Sequence, residues 1–283
     1  KESFSIGFLS FLAPFLGAMV YAYYIGGWTI QQAVIAGISL STTSVAVVYA
    51  VMIETGYNET ELGKLILAAC FITDLGTVIA LGAFFAKYDL SMVIFIIFTV
   101  IVLSVLPKFT PWFFRKVGSR ISEPEIKFIF LLLFALGGLA LMAKSEAVLP
   151  AYLTGMVLAP FFLENKILSQ RMRVIAFTML TPFYFLKAGS LIKISAILDS
   201  IVLIFIFFLV KMTAKFVGIW PTVRLFRFKK KENMYTTLLM STGLTFGTIS
   251  ALFGYTNKII NQDQYTILVT VVILSAILPT FIA

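Results

Sequence analysis

The chain contains no histidine, one cysteine and little charge of either sign. The missing imidazole excludes a histidine proton relay. No glycine-rich phosphate loop follows a strand-like segment either, so the sequence carries no enzyme signature. Cys70 is alone and permits no internal disulfide; it lies in an apolar run and does not indicate a redox compartment. Charged residues make up only 12% of the 283 residues, against about 25% in a soluble domain. Hydrophobic residues reach 60% and mean hydropathy is +1.01. Together these exclude a soluble domain and imply an all-α polytopic membrane protein in contact with the lipid bilayer. The net charge of +9 would suit nucleic acid, but in such a protein it reads as cytoplasmic loop charge, and no nucleic-acid partner is expected. No signal-peptide pattern opens the chain, and Lys1 stands first in place of Met, so it reads as a fragment with upstream sequence missing.

Apolar runs and their breakers give about ten spans, at roughly 4–24, 29–53, 63–86, 91–107, 126–143, 148–164, 174–192, 197–220, 234–255 and 264–282. Short connectors such as Gly26-Gly27-Trp28 and Ala86-Lys87-Tyr88 imply antiparallel hairpins. The longest interruption, 108–125, carries Pro111-Trp112-Phe113-Phe114 and then basic residues, and is expected to be an interfacial amphipathic piece. With ten spans, both ends lie on one side. Fifteen of the 22 basic residues fall there and five on the other side, which places both ends in the cytoplasm.

The first and last span triplets then enter the membrane from opposite sides, as in an inverted repeat. Their middle members share an oddity. One holds Gly37-Ile38-Ser39-Leu40-Ser41-Thr42-Thr43-Ser44 and the other Ser241-Thr242-Gly243-Leu244-Thr245-Phe246-Gly247-Thr248, at similar depth. Ser and Thr compete locally for backbone hydrogen bonds, and Gly weakens a helix by about 1 kcal/mol against Ala. Each run is a candidate break. In hydrocarbon a break survives only inside protein or beside a wet cavity, and paired breaks in opposed repeats mark a midplane transport site.

Asp74 is the only carboxylate near the middle of a span. A charge there is costly and ordinarily lines a pathway, binds an ion or pairs with another charge. An ionised carboxylate is a good ligand for a hard cation, and protonation removes that ability. Because desolvation disfavours the charged form of such a group, proton and cation are expected to compete for Asp74. The hydroxyls of Thr73, Thr43 and Ser44 would complete an oxygen cage around a monovalent metal ion, Na⁺ or K⁺. No cofactor beyond the transported ions is expected. Lys211 and Lys215 lie four residues apart on one helix face, so one is expected to lose its charge or reach solvent. Lys215, within Ala214-Lys215-Phe216-Val217-Gly218, is the favoured charge-compensating residue.

The run from Ser41-Thr42-Thr43-Ser44-Val45-Ala46 through Glu61-Leu62-Gly63-Lys64 to Phe71-Ile72-Thr73-Asp74-Leu75-Gly76 resembles the cation:proton antiporter-2 family. So do Leu180-Thr181-Pro182-Phe183-Tyr184-Phe185-Leu186-Lys187-Ala188-Gly189 and Lys215-Phe216-Val217-Gly218. The likeness covers nearly the whole chain. It implies an inverted-repeat antiporter fold with two broken, crossing helices, a separate dimerisation domain, a homodimer and an elevator-like movement. Residues 1–86 and 193–283 would form the two halves of the ion-translocating core, 87–125 a linker span and loop, and 126–192 part of the dimer scaffold. The family's ion-binding aspartate maps onto Asp74, its lysine onto Lys215, and its unwound Thr-Ser onto Thr43 and Ser44. Electrogenic relatives carry two adjacent aspartates where this chain has Thr73 before Asp74, which favours one-for-one exchange. The resemblance implies Na⁺/H⁺ exchange across the plasma membrane. A K⁺/H⁺ antiporter or potassium efflux system is the alternative, and a sodium-coupled organic anion symporter a more distant one.

Overall fold

The computed structural model describes residues 1–85, 90–118, 120–143, 145 and 147–283, and every regular element among them is helical. The chain forms two compact units, Lys1–Ala80 with Ala188–Ala283, and Leu81–Lys187.

The first unit opens with α1 (Glu2–Tyr24). The chain then reverses through Gly27, whose φ of 66° is costly for a residue with a β-carbon. Thr29 caps α2 (Ile30–Ser41) in a reciprocal capping box with Gln32. A three-residue gap, 42–44, separates α2 from α3 (Val45–Thr55), and α4 (Glu61–Phe85) follows, its last five residues belonging to the second unit. After the second unit come α10 (Ile194–Asp199), α11 (Ile201–Leu225), α12 (Lys230–Met240), α13 (Thr245–Thr256) and α14 (Gln262–Ile282). Helices α12 and α13 are separated by residues 241–244.

Small residues let α1 and α11 approach closely. A β-carbon on Gly17 would lie 3.2 Å from Ala214 Cβ, and one on Gly218 would lie 2.8 Å from Ala13 Cβ. The numbering rises on one helix as it falls on the other, so the pair is antiparallel. Ile6, Val48, Met52, Ile66, Ala69, Cys70, Ile219, Val223, Leu239 and Met240 form a buried core joining α1, α3, α4, α11 and α12. Helix α2 packs against α13, and the end of α3 meets the middle of α12 through a 2.8 Å Thr55–Tyr235 hydroxyl bond. The two interrupted passes therefore run in opposite directions and meet at their breaks.

The second unit holds α5 (Leu90–Val117), α6 (Pro124–Met142), α7 (Val148–Glu164), the amphipathic α8 (Lys166–Ile175), a π-helical segment (Ala176–Leu180) and most of α9 (Thr181–Ser190). Its core centres on Leu106, Ile129 and Leu158. The expected break after residue 107 is corrected here, because α5 continues through Pro107 and Pro111 to Val117. Each proline removes a helix hydrogen bond at a cost of about 3 kcal/mol. Offsetting that cost, Phe109 and Phe113 pack with tilted rings against Phe128 at 5.6 and 4.9 Å between ring centres, and Phe114 meets Phe161 at 6.4 Å. These aromatics serve packing within the unit. The expected span 174–192 also begins earlier, since helix runs with little interruption from Lys166 to Ser190.

Eight helical passes among the described residues are long and apolar enough to cross a membrane, counting α2–α3 and α12–α13 as one each; α7, with 17 residues, is a shorter apolar helix. The expected connector Ala86-Lys87-Tyr88 lies outside the described residues.

Candidate ion-binding site

Ending a helix in an apolar setting leaves carbonyls without partners. The hydroxyl-rich runs supply those partners. Ser41 Oγ donates to Ile38 O at 2.8 Å and Thr42 Oγ1 to Ser39 O at 3.3 Å, closing the end of α2. The same device closes α12, where Ser241 Oγ donates to Thr237 O at 2.7 Å and Thr242 Oγ1 to Leu239 O at 2.8 Å. Past the first break the backbone is extended, and Ser44 caps α3 by accepting from Val47 N at 3.4 Å. The two breaks are joined directly: Ser44 N donates to Thr242 O at 3.1 Å, and Thr43 Oγ1 donates to Met240 O at 2.9 Å.

Helix α11 sends one lysine to each break, and both side chains are fully buried. Lys215 Nζ donates to Thr43 Oγ1 at 2.9 Å and to Ser10 Oγ at 2.8 Å. Because the Thr43 hydroxyl donates its hydrogen bond to Met240 O, the Lys215 charge acts through it on a carbonyl at the end of α12, where a positive charge is favoured. Lys211, one turn earlier, donates to Ser275 Oγ at 2.7 Å. Ser275 in turn donates to Val272 O at 2.8 Å and, more distantly, to Gly243 O at 3.4 Å in the second break. A β-carbon on Gly243 would collide with Lys211 Nζ and lie 3.0 Å from Thr42 O, so the break closes around the lysine only because residue 243 is glycine. Of the two outcomes expected for the lysine pair, loss of charge by one or reach to solvent, the second is corrected: the two diverge to different breaks, and each finds a buried hydroxyl.

Asp74, on α4, is 4% exposed, and its Oδ1 is buried without a hydrogen-bond partner. The hydroxyls flanking it are satisfied by their own helix, Thr73 donating to Ala69 O at 2.9 Å and Thr77 to Thr73 O at 3.0 Å. A buried polar atom left unsatisfied costs about 1–3 kcal/mol, more when charged, and such an atom calls for a functional explanation. Helix α1 lies close against α4 here: β-carbons on Gly7 and Gly76 would fall 2.7 Å from Ala69 O and 3.1 Å from the Phe11 ring. Ser10 sits on α1 between those contacts.

The structure thus brings Thr43, Ser44 and Lys215 to the crossing. Thr73 turns to its own helix, and among the described residues no hydrogen bond or ion pair joins Asp74 to any of them. No cluster of three or more His, Cys, Asp or Glu side chains suited to a metal ion occurs among the described residues. Sequence reading missed Ser10 and Ser275, the partners of the two lysines. Each is an isolated serine among apolar neighbours in its own turn of helix, and only the four-residue lysine spacing hinted that two separate acceptors were needed.

Two broken helices meeting inside a bundle, with a lysine at each break and, on a neighbouring helix, a buried carboxylate whose Oδ1 has no hydrogen bond, are features of a multi-pass carrier for small ions. The chain belongs to the sodium/hydrogen exchanger family: the family's transmembrane region matches residues 1–283. It is 24% identical to a probable Na⁺/H⁺ antiporter 3 of Methanocaldococcus jannaschii, over 99% of this chain and 74% of that protein. It is also 24% identical to the probable Na⁺/H⁺ antiporter GerT of Bacillus cereus, over 95% of this chain and 73% of that protein. The Na⁺/H⁺-K⁺ antiporter GerN of the same organism is 23% identical over 98% of this chain and 73% of its own length.

Proposed function

We propose that this chain exchanges a monovalent cation, Na⁺ in preference, for H⁺, with the two ions competing for the carboxylate of Asp74. The observation that carries the reading is that carboxylate itself, buried with Oδ1 unpartnered in the unit where two interrupted helices meet. An ionised Asp74 offers hard oxygen ligands, and a protonated one does not. Each occupant therefore expels the other, and carrying the occupied site between faces couples their movements. Lys215, through Thr43, balances the ends of the broken helices while the charge at Asp74 changes.

The finer assignments belong to the same proposal. Thr43, Ser44 and Thr73 contribute oxygens when the cation is bound. Residues 1–86 and 193–283 form the ion-carrying body, and 126–192 belong to the scaffold of a homodimer. The protein works in the plasma membrane with both ends of this chain in the cytoplasm, as the basic-residue bias supports. Similarity to an antiporter named for K⁺ as well as Na⁺ favours K⁺ as the second cation.

The test is proton flux in proteoliposomes challenged with Na⁺, K⁺ or Li⁺. Proton movement driven by Na⁺ and more weakly by K⁺ is expected. No cation-driven proton movement, or uptake of a labelled organic anion driven by Na⁺, would defeat the reading.

A further inference from the structure

Adding 201 to a residue number in α1 or α4 gives a counterpart in α11 or α14. Ala13 and Gly17 become Ala214 and Gly218, and their contacts are reciprocal, Gly17 meeting Ala214 and Gly218 meeting Ala13. Glu61, which opens α4, becomes Gln262, which opens α14. The broken passes follow within one residue, Ser41-Thr42 matching Ser241-Thr242. Under this correspondence Asp74 maps onto Ser275 and Ser10 onto Lys211.

The first unit therefore contains two corresponding half-sites with different contents. One has a buried carboxylate, Asp74, whose Oδ1 has no hydrogen bond, with Ser10 on the neighbouring α1. The other has a hydroxyl, Ser275, in the carboxylate's place and a lysine in the place of Ser10. In that second half the Lys211 ammonium rests on Ser275 Oγ at 2.7 Å, beside Gly243 of the break, and no ion pair engages it among the described residues. Its oxygen surroundings, a hydroxyl backed by the carbonyls of Val272 and Gly243, are those a small cation would take.

We propose that Lys211 is a tethered cation: its ammonium permanently occupies the counterpart of the Asp74 site, keeping that half closed to mobile ions and the α12–α13 break loaded. The proposal rests on the reading of Asp74 as the ion site and makes Lys211 a positioning residue. It explains why two lysines one turn apart are both buried: each serves its own break. It also explains Gly243, since the ammonium lies where a β-carbon would be.

The purified chain carrying Lys211→Ala tests this through thermal unfolding. Truncation empties the ammonium's seat, so ethylammonium is expected to raise the unfolding midpoint more than equimolar 1-propanol or sodium chloride, with no such difference in the unsubstituted protein. Equal responses to ethylammonium and 1-propanol, or none to either, would overturn the proposal. Lys211→Met, which keeps the stem and removes the charge, provides the second arm and decides alone if the alanine variant does not fold. Its maximal exchange rate should fall about tenfold with little change in KM for the cation, and Lys211→Arg should recover most of the loss. Full exchange by Lys211→Met would reduce Lys211 to a packing residue. The ethylammonium response needs no transport, so it stands or falls apart from the exchange reading.

Discussion

Thr43 makes two close bonds with one hydroxyl, accepting from Lys215 and donating to Met240 O, and lies 3.5 Å from Ser10 Oγ. Thr43→Val keeps the shape but removes the donor to Met240 O and one of the two acceptors of Lys215, leaving Lys215 with Ser10 alone. The expected loss is about 1–3 kcal/mol for the unsatisfied Met240 carbonyl, read as a lower thermal midpoint of the purified protein, and Thr43→Ser should recover most of it. At Asp74 the sign of the pH dependence follows from competition. Protonation removes the ligand, so the apparent KM for Na⁺ should rise as pH falls while the maximal rate at saturating Na⁺ stays level. A pH effect confined to the maximal rate would contradict a shared carboxylate. Asp74 was legible in the sequence because a lone acid in mid-span has few uses. Ser10 and Ser275 were not, since a serine in an apolar helix ordinarily bonds its own backbone and only the folded arrangement gives it a lysine.

Between elements, the crossing tolerates very little added volume. A β-carbon on Gly247 would lie 2.7 Å from Ser39 O, 2.8 Å from Val272 Cγ2 and 2.9 Å from Thr42 Oγ1. Overpacking of this kind costs about 1–3 kcal/mol, so Gly247→Ala should lower both the thermal midpoint and the exchange rate. Gly82→Ala is the control, because nothing lies within 4 Å of its added carbon; it should be neutral in both assays. The breaks were readable from sequence because Ser, Thr and Gly accumulate only where helix ends must be closed locally. The run of α5 to Val117 was not, since the prolines act locally while the compensating Phe109, Phe113 and Phe114 contacts come from α6 and α7. The direction of the two interrupted passes was visible through span counting. Their joining, through Ser44 N to Thr242 O, needed the structure.

For the molecule as a whole, the proposed competition at a single titrating acid would set the coupling. Thr73 stands where a second carboxylate would add another charge to each cycle, and its hydroxyl is bound to Ala69 O. Exchange should therefore be one-for-one, with proteoliposome flux unchanged by an imposed membrane potential. Thr73→Asp should make that flux respond to potential. A strong voltage dependence in the unsubstituted protein would mean that a lysine also gives up a proton during the cycle. The most direct measurement is Na⁺-driven proton flux in proteoliposomes bearing Asp74→Asn, beside the unsubstituted protein at matched incorporation. The account predicts that the unsubstituted protein moves protons and that the variant, folded but without an ionisable group at position 74, does not. Full Na⁺-driven flux through Asp74→Asn would contradict it.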